Sequence, residues 1–221
     1  MNKNIRTGIL AAVLVLPVFL LVLLYKFGNN HFKIPVYFAH DSTLIDGEYV
    51  ITDAHHIPDF QFVNQEGKTV SSKDLKGTIY VADFFFSRCQ GICKDMSSQL
   101  VRVQEEFKEN NKVKIVSFTV DPKFDTVEVL KEYAKFYRAI PGKWNLLTGS
   151  KDSIYKLAGP NGFYLNAQEI KDVDNDFIHD NHFVLVDKEG RIRGYYDGTD
   201  KKEVDRLIME IGILLHEYGD E

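Results

Sequence analysis

Residues 84–96 read FFFSRCQGICKDM and contain both cysteines of the 221-residue chain, Cys89 and Cys93. An apolar run at 79–86 leads into this stretch, and apolar residues at helical spacing follow it. The pair therefore lies where a buried strand passes into a helix, with the two thiols about one helical turn apart. Two cysteines this close indicate a reactive or metal-binding pair. The alternative is one local structural disulfide, whose small loop adds little stability.

Strands and helices alternate beyond the cysteines. The first helix after them has apolar residues at spacings of three and four: Met96, Leu100, Val103 and Phe107. The elements predicted next are a strand at 112–120, a helix that begins at Asp125 or Thr126, a strand at 144–148 and a short helix after Ser150. The last elements are a hairpin at 183–196 and a helix whose buried stripe lies within 204–215.

Before the cysteines, residues 57–63 alternate apolar and polar side chains, and residues 69–71 resume the pattern after a turn, which predicts a hairpin. The whole order predicts an α/β fold with a thioredoxin-like central mixed sheet flanked by helices, to which the N-terminal hairpin is added. This likeness concerns the fold alone and does not identify a reaction.

The N-terminal region predicts one transmembrane helix. Residues 9–24 carry no charge, and Tyr25 and Phe27 extend this run toward the roughly 17–25 residues that cross a bilayer. Because Lys3 and Arg6 precede the run, we expect a cytoplasmic tail and a domain on the periplasmic, extracytoplasmic side of the inner membrane. A cleaved signal peptide is the alternative, and the lack of a small-residue cleavage site argues against it.

These features divide the chain into three predicted parts. Residues 1–27 form the cytoplasmic tail and the anchor, with 9–25 in the lipid bilayer, residues 28–48 form a stalk, and residues 49–221 form the thioredoxin-like domain. The formal net charge is −5, and the longest basic run is the pair Lys201-Lys202. We therefore expect no nucleic-acid partner, because phosphate binding needs a basic surface.

Two thiols one helical turn apart suit three chemistries. The first is dithiol–disulfide exchange, in which a thiolate near a helix N-terminus attacks a disulfide. The second is peroxide reduction, in which one thiolate attacks oxygen and the other resolves the product. The third is binding of a soft metal. Cu(I) needs only one histidine beside two thiolates, whereas zinc or an iron–sulfur cluster needs two further strong donors.

Two of the seven histidines, His179 and His182, lie in the loop that leads into the apolar strand at 183–187. In a thioredoxin-like sheet this loop lies beside the cysteine loop, so both are candidate ligands, although His182 begins the strand and a lone histidine more often has a structural role. Thioredoxin-like oxidoreductases resemble one another in a cis proline just before this strand, whereas the last proline here is Pro160. This difference favours metal binding over disulfide exchange.

The chain resembles the SCO/SenC family over nearly the whole domain, from Ile57 to Tyr196. The residues that carry the resemblance are the cysteine stretch quoted above, SFTVDP at 117–122 with Asp125 and Thr126, Trp144 with LTG at 147–149, and His179 followed by LVD at 185–187 and Gly190. Members of this family are membrane-anchored copper proteins that help to assemble cytochrome c oxidase. Their copper histidine lies six residues before the Leu of that LVD segment, which implies His179 and not His182.

The resemblance implies copper bound by Cys89, Cys93 and His179, with Cu(I) as the expected form and Cu(II) as an open alternative. It implies a copper chaperone, with the copper-bearing subunit of cytochrome c oxidase and other copper carriers as partners, and it leaves open whether the chain is also an enzyme. The alternative is a thiol–disulfide oxidoreductase that uses the same two cysteines to reduce the oxidase subunit before metallation. A peroxidase is a weaker hypothesis, since peroxiredoxins resemble one another in a Pro-x-x-x-Thr-x-x-Cys loop that this chain lacks.

Some residues depart from the family pattern. Members usually have proline directly after each cysteine, where this chain has Gln90 and Lys94, so we expect a more mobile loop with two N–H groups free to face sulfur. Lys94 is also expected to lower the pKa of a neighbouring thiol. Many relatives have aspartate directly before the histidine, where this chain has Ile178. Asp121 and Asp125 match the family, but a strand-ending Asp-Pro and a helix cap already explain them.

Overall fold

The computed structural model describes residues 2–27, 33–38, 41–45, 48–52, 54–165 and 180–220. The chain divides into two compact units, Met1–Phe32 and Lys33–Glu221. Of the predicted site, Cys89 and Cys93 lie within the described residues, whereas His179 lies outside them. The predicted boundaries between anchor, stalk and domain stay predictions.

In the first unit, helix α1 spans Lys3–Phe27 and includes Pro17. Its uncharged run at 9–24 is the segment that the sequence predicts to enter the bilayer. Among the described residues, no helix combines the length and the hydropathy that are needed to span a membrane.

The second unit is built around a seven-stranded mixed sheet. Its parallel strands are β5 (Ile79–Phe85), β6 (Val113–Thr119) and β7 (Trp144–Thr148). Its antiparallel strands are β3 (Gln61–Asn64), β4 (Thr69–Ser71), β8 (His182–Val186) and β9 (Ile192–Asp197). The strand order is β4-β3-β7-β6-β5-β8-β9, which confirms the predicted mixed sheet, with β3 and β4 as the added hairpin.

The helices of this unit are α2 (Ser72–Leu75), α3 (Ile92–Glu106), α4 (Val127–Phe136), α5 (Lys151–Ala158) and α6 (Lys201–Tyr218). The apolar spacing correctly predicted the inner face of α3, because Met96, Leu100 and Val103 are fully buried. This face packs on β6, and α3 also contacts α6.

Helices α3 and α4 cover the same face of the sheet. The ring of Tyr133 in α4 packs at 5.1 Å from the ring of Phe85 in β5. The Tyr133 hydroxyl also hydrogen-bonds the Ser97 hydroxyl of α3 at 2.7 Å. Side chains that point from β5 and β6 toward this face are therefore enclosed by two helices.

A second sheet pairs β1 (Asp41–Ile45) with β2 (Glu48–Thr52) in antiparallel register. β1 lies within residues 28–48, which the sequence predicts to be a stalk. The available signal was Asp46-Gly47 between two short runs of β-prone residues, since Asp-Gly is a frequent hairpin turn. This strand pair was not predicted from the sequence.

Residues 33–38, also within the predicted stalk, pack on the domain. Ile34 is buried, and the buried guanidinium of Arg193 donates to the carbonyls of Ile34 and Pro35 at 2.6 and 3.2 Å. The Asp187 carboxylate lies 3.1 Å from the same guanidinium and balances its charge. These bonds satisfy carbonyl groups of a segment that has no regular secondary structure, and they hold it in place.

Candidate metal centre

The two cysteines lie at the carboxyl end of β5, where the chain turns from the strand into α3. Cys89 is in the connecting loop, and its N–H donates to the Phe86 carbonyl at 3.2 Å, whereas Cys93 is the second residue of α3. Both thiols are free, with exposed fractions of 7% for Cys89 and 4% for Cys93. The strand-to-helix position that the sequence predicts is confirmed.

Burial is the strongest influence on Cys93, and it raises the pKa of the thiol far above its ordinary value. A hydrogen bond with the Phe86 backbone opposes this rise. A hydrogen bond with the Cys89 thiol and the negative charges of Cys89 and Asp83 add to it. The two thiols thus influence each other, and they lie about one helical turn apart in the chain, a spacing that suits a shared metal ion or a disulfide.

The two residues at the positions of the family's prolines bond to each other. Lys94 Nζ donates to Gln90 Oε1 at 3.0 Å, and Gln90 Nε2 donates to the Arg88 carbonyl at 3.3 Å. The Lys94 N–H donates to the Gly91 carbonyl at 3.1 Å, so it does not face a sulfur. The expected lowering of a thiol pKa by Lys94 is not met at Cys93, because burial raises the pKa there.

A buried carboxylate from the loop between β6 and α4 supports the cysteine loop. Asp125 accepts the Ser87 N–H at 3.1 Å, and it also accepts the hydroxyl groups of Ser87 and Thr119. Burial raises the pKa of Asp125, and these three hydrogen bonds oppose the rise because they favour the carboxylate. The N-cap of α4 is Thr126, so Asp125 is not the helix cap that the sequence allowed.

An ion pair holds Arg88, the residue after Ser87 in the cysteine loop. Arg88 Nε lies 2.7 Å from Asp121 Oδ2, and the Arg88 guanidinium lies 5.1 Å from the centre of the Phe124 ring. The Asp121 N–H in turn donates to the Thr119 hydroxyl at 3.0 Å. A strand end and a helix cap were the roles expected of Asp121 and Asp125, and these contacts were not predicted from the sequence. Their match to the family motif was the signal that pointed to them.

A second buried carboxylate, Asp83, lies in β5 on the face that α3 and α4 cover. Ser117 donates to Asp83 Oδ1 at 2.5 Å, and Trp144 Nε1 donates to the Ser117 hydroxyl at 2.9 Å. Burial raises the pKa of Asp83 to about 7, although the Ser117 hydrogen bond lowers it. Asp83 was not predicted from the sequence, because one aspartate within an apolar run matches no motif.

The start of β8 lies at the same edge of the sheet as the cysteine loop. β8 pairs with β5 in antiparallel register, with Val184 beside Ala82, so residues before Val184 approach the carboxyl end of β5. His182 bonds Asp180 Oδ1 through its backbone N–H at 2.8 Å and its ring Nδ1 at 2.9 Å. His182 therefore has a partner in its own loop, and His179 lies outside the described residues.

The other described histidines have different contacts. The His55 ring hydrogen-bonds the Gly162 carbonyl at 2.8 Å, His56 forms a β-bridge with Arg191, and His216 lies in the last turn of α6. Within the described part of the chain, no three histidine, cysteine or acidic residues are placed to hold a metal ion. Two adjacent thiols are nevertheless the donors that Cu(I) prefers. The set of Cys89, Cys93 and His179 stays a prediction.

Similarity to known proteins points to one family. The SCO1/SenC family model matches residues 50–213. The chain is 34% identical to a SCO1/SenC family lipoprotein from Bacillus anthracis, with 72% of this chain and 95% of that chain covered and a TM-score of 0.66. It is 31% identical to BsSco, a Sco family cytochrome c oxidase assembly protein with a disulfide switch (72% and 92% covered, TM-score 0.59). It is 27% identical to copper-bound ScoI from Arabidopsis thaliana (71% and 98% covered, TM-score 0.57).

Proposed function

The chain belongs to the SCO1/SenC family, and from this premise we propose that it is a copper chaperone in the assembly of cytochrome c oxidase. It binds copper as its cargo through Cys89, Cys93 and His179, and it passes the ion to the copper centre of an oxidase subunit. Two similar proteins support this function, since BsSco is an oxidase assembly protein and the Arabidopsis ScoI structure contains copper. Cu(I) is the expected form, because thiolates are soft ligands.

The observation that carries the proposal is the pair of free, buried thiols about one helical turn apart, where β5 passes into α3. Both thiols lose their protons when they bind Cu(I), so metal binding is coupled to proton release. An imidazole completes a three-coordinate site without adding charge. Such a site has fewer ligands than a closed four-coordinate one, which suits an ion that has to be given up.

Delivery requires that a partner reach the bound ion. Gln90 and Gly91, which lie between the cysteines in sequence, are exposed, whereas Cys93 begins a helix with a buried inner face. A partner thiol can therefore approach from the loop side. Each entering thiolate replaces one ligand of this chain, so the ion moves without becoming free.

A thiol–disulfide oxidoreductase is the second candidate, and the free state of both thiols favours it. One thiolate of the pair attacks a partner disulfide, and the second thiol then displaces the partner's sulfur. The products are a Cys89–Cys93 disulfide and two partner thiols. The similar protein BsSco has a disulfide switch, and this property supports the oxidoreductase candidate. His179 takes no part in this reaction, so this residue separates the two candidates.

The test is a Cu(I) titration of the reduced full-length chain in detergent against a competing chelator. We expect one Cu(I) per chain for the wild type. We expect affinity to fall by about 100-fold or more in His179→Ala and in Cys93→Ser, since even a residue that only supports a ligand contributes roughly 10–100-fold. The matched control is His182→Ala, which removes the neighbouring imidazole that bonds Asp180 and should leave the affinity unchanged.

One result would refute the copper site. If His179→Ala binds Cu(I) as tightly as the wild type, and the chain still reduces a partner disulfide, the oxidoreductase is the better description. If both His179→Ala and Cys93→Ser lose Cu(I) while His182→Ala does not, the three-ligand site stands.

We also propose that residues 1–27 anchor the protein in the inner membrane, with the stalk at 28–48 and the domain at 49–221 on the extracytoplasmic side. The uncharged run at 9–24 and the basic residues before it support this arrangement. The similar protein from Bacillus anthracis is a lipoprotein. Carbonate extraction of membranes tests the anchor: full-length chain should stay in the pellet, and its release would contradict the proposal.

A further inference from the structure

We propose that Asp125 is a positioning residue that sets the place of Cys89 relative to Cys93. The inference rests on the proposed function, because it concerns the same two thiols, and it adds a residue outside the ligand set. Asp125 is fully buried in the loop between β6 and α4, far from Cys89 in sequence.

Strand pairing brings this loop to the cysteine loop. β5 and β6 are parallel neighbours, and Phe85 at the end of β5 pairs with Thr119 at the end of β6. The chain therefore leaves both strands at the same edge of the sheet. Ser87, two residues past Phe85, meets Asp125 at this edge.

Three donors converge on the Asp125 carboxylate. The Ser87 N–H and the Thr119 hydroxyl bond Oδ2, and the Ser87 hydroxyl bonds Oδ1. Because one donor is a backbone N–H, the carboxylate fixes the main chain two residues before Cys89. Without the carboxylate, these donors lose their acceptor in a buried place, which favours a different path for the loop.

A second interaction with the loop between β6 and α4 holds Arg88, the residue after Ser87. Asp121 pairs with Arg88 Nε at 2.7 Å, and Arg88 directly precedes Cys89. The Thr119 hydroxyl links the two carboxylates, since it donates to Asp125 and accepts the Asp121 N–H. Both residues before Cys89 are thus bonded to the loop between β6 and α4.

Cys93 is held in another way. It belongs to α3, whose residues Met96 and Leu100 are fully buried. The hydrogen bonds of its thiol are with the Phe86 backbone and Cys89. These thiol contacts involve the cysteine loop, whereas the packing of α3 does not, so a change at Asp125 should displace Cys89 more than Cys93.

Asp125→Asn tests this inference with little change in shape. The Asn side chain keeps one acceptor oxygen and replaces the other by an NH2 group, which cannot accept from Ser87 or Thr119. In the reduced, copper-free full-length chain, we expect iodoacetamide to alkylate Cys89 about tenfold faster than in the wild type. This factor corresponds to the free energy of one hydrogen bond to a charged group. The rate at Cys93 should stay within about twofold. Tandem mass spectrometry separates the two positions.

The matched control is Asp74→Asn. Asp74 accepts the N–H and the hydroxyl of Ser71 at 2.8 and 2.7 Å, the same pattern that Asp125 makes with Ser87. Asp74 is in α2, so neither thiol should change its rate in this variant. If Asp125→Asn does not fold, Ser87→Ala and Thr119→Val each remove one donor and should show the same selectivity for Cys89.

Equal acceleration of both thiols, or an unchanged rate at Cys89, would overturn the inference. A second measurement is the Cu(I) affinity of Asp125→Asn, which should fall by about tenfold, as for residues that support a ligand. If the wild type binds no Cu(I), the proposed function fails, while the alkylation rates still decide the role of Asp125.

Discussion

The two cysteines are close in sequence, yet different parts of the fold hold them. Cys93 belongs to α3 and keeps its place through the packing of that helix, with Met96 fully buried one turn later. Cys89 belongs to a loop, and the bonds between Ser87 and Asp125 hold that loop. One thiol is therefore fixed by a helix, and the position of the other depends on a neighbouring loop.

This difference suits the proposed function, in which the site holds a copper ion and then passes it on. The sulfur on the helix gives the site a fixed reference point. The sulfur on the loop depends for its position on the hydrogen bonds between Ser87 and Asp125. Because the two supports are separate, substitutions can weaken either one alone and test the comparison.

The largest expected effect is that of Asp83→Asn, which removes a buried charge near Cys93. Burial raises the pKa of Asp83 from 3.8 to about 7, so between about pH 4 and pH 7 the native state binds more protons than the unfolded chain. The contribution of Asp83 to the free energy of unfolding therefore falls as pH rises through this range, by on the order of 4 kcal/mol at most, and Asp83→Asn removes this contribution. Urea unfolding of the reduced, metal-free protein across this range measures the difference.

The groups that face Asp83 do not titrate in this range, because burial raises the pKa values of Cys93 and Tyr133. The control is Asp74→Asn. Hydrogen bonds from Ser71 lower the pKa of Asp74, so this carboxylate stabilises the fold above its pKa, and the control should lose stability at neutral pH. A difference between wild type and Asp83→Asn that does not vary with pH would contradict the prediction.

Met96→Ala weakens the support of Cys93. Met96 is fully buried on the inner face of α3, and its truncation should cost about 3 kcal/mol because it leaves a cavity. Alkylation should accelerate more at Cys93 than at Cys89, the reverse of Asp125→Asn. Denaturant unfolding and site-resolved alkylation provide the two measurements.

The control for Met96→Ala is Met209→Ala. Met209 lies in α6 and is 57% exposed, so its truncation should change stability by less than about 0.5 kcal/mol. If Met96→Ala instead accelerates Cys89 alone, the two thiols do not have the separate supports described above.

Arg88→Gln should have the smallest effect. The Arg88 side chain is 46% exposed, so its ion pair with Asp121 contributes less than about 1 kcal/mol. Alkylation of Cys89 should accelerate less than in Asp125→Asn, because the Ser87 bonds remain. The comparison of these two variants under the same alkylation conditions ranks the two bonds, and a larger effect for Arg88→Gln would reverse the ranking.

Much of the fold follows from local patterns. The apolar run before the cysteines and the helical spacing after them correctly predicted β5 and α3, and the final hairpin and helix were found in the same way. The segment 33–38 has no such pattern. It is held by Arg193, whose guanidinium bonds the Ile34 carbonyl across a long separation in sequence, and side-chain spacing does not report a contact of that kind.

The sequence by itself determined the alternation of strands and helices, the place of Cys89 and Cys93 where a buried strand ends, and the likeness to the SCO/SenC family. Only the tertiary structure decided that Asp125 supports the cysteine loop and that the pKa of Asp83 is raised to about 7. The physical reason is that helices and strands follow the spacing of apolar side chains along the chain. The bonds and the pKa of a buried carboxylate depend instead on residues that the parallel pairing of β5 and β6 brings together.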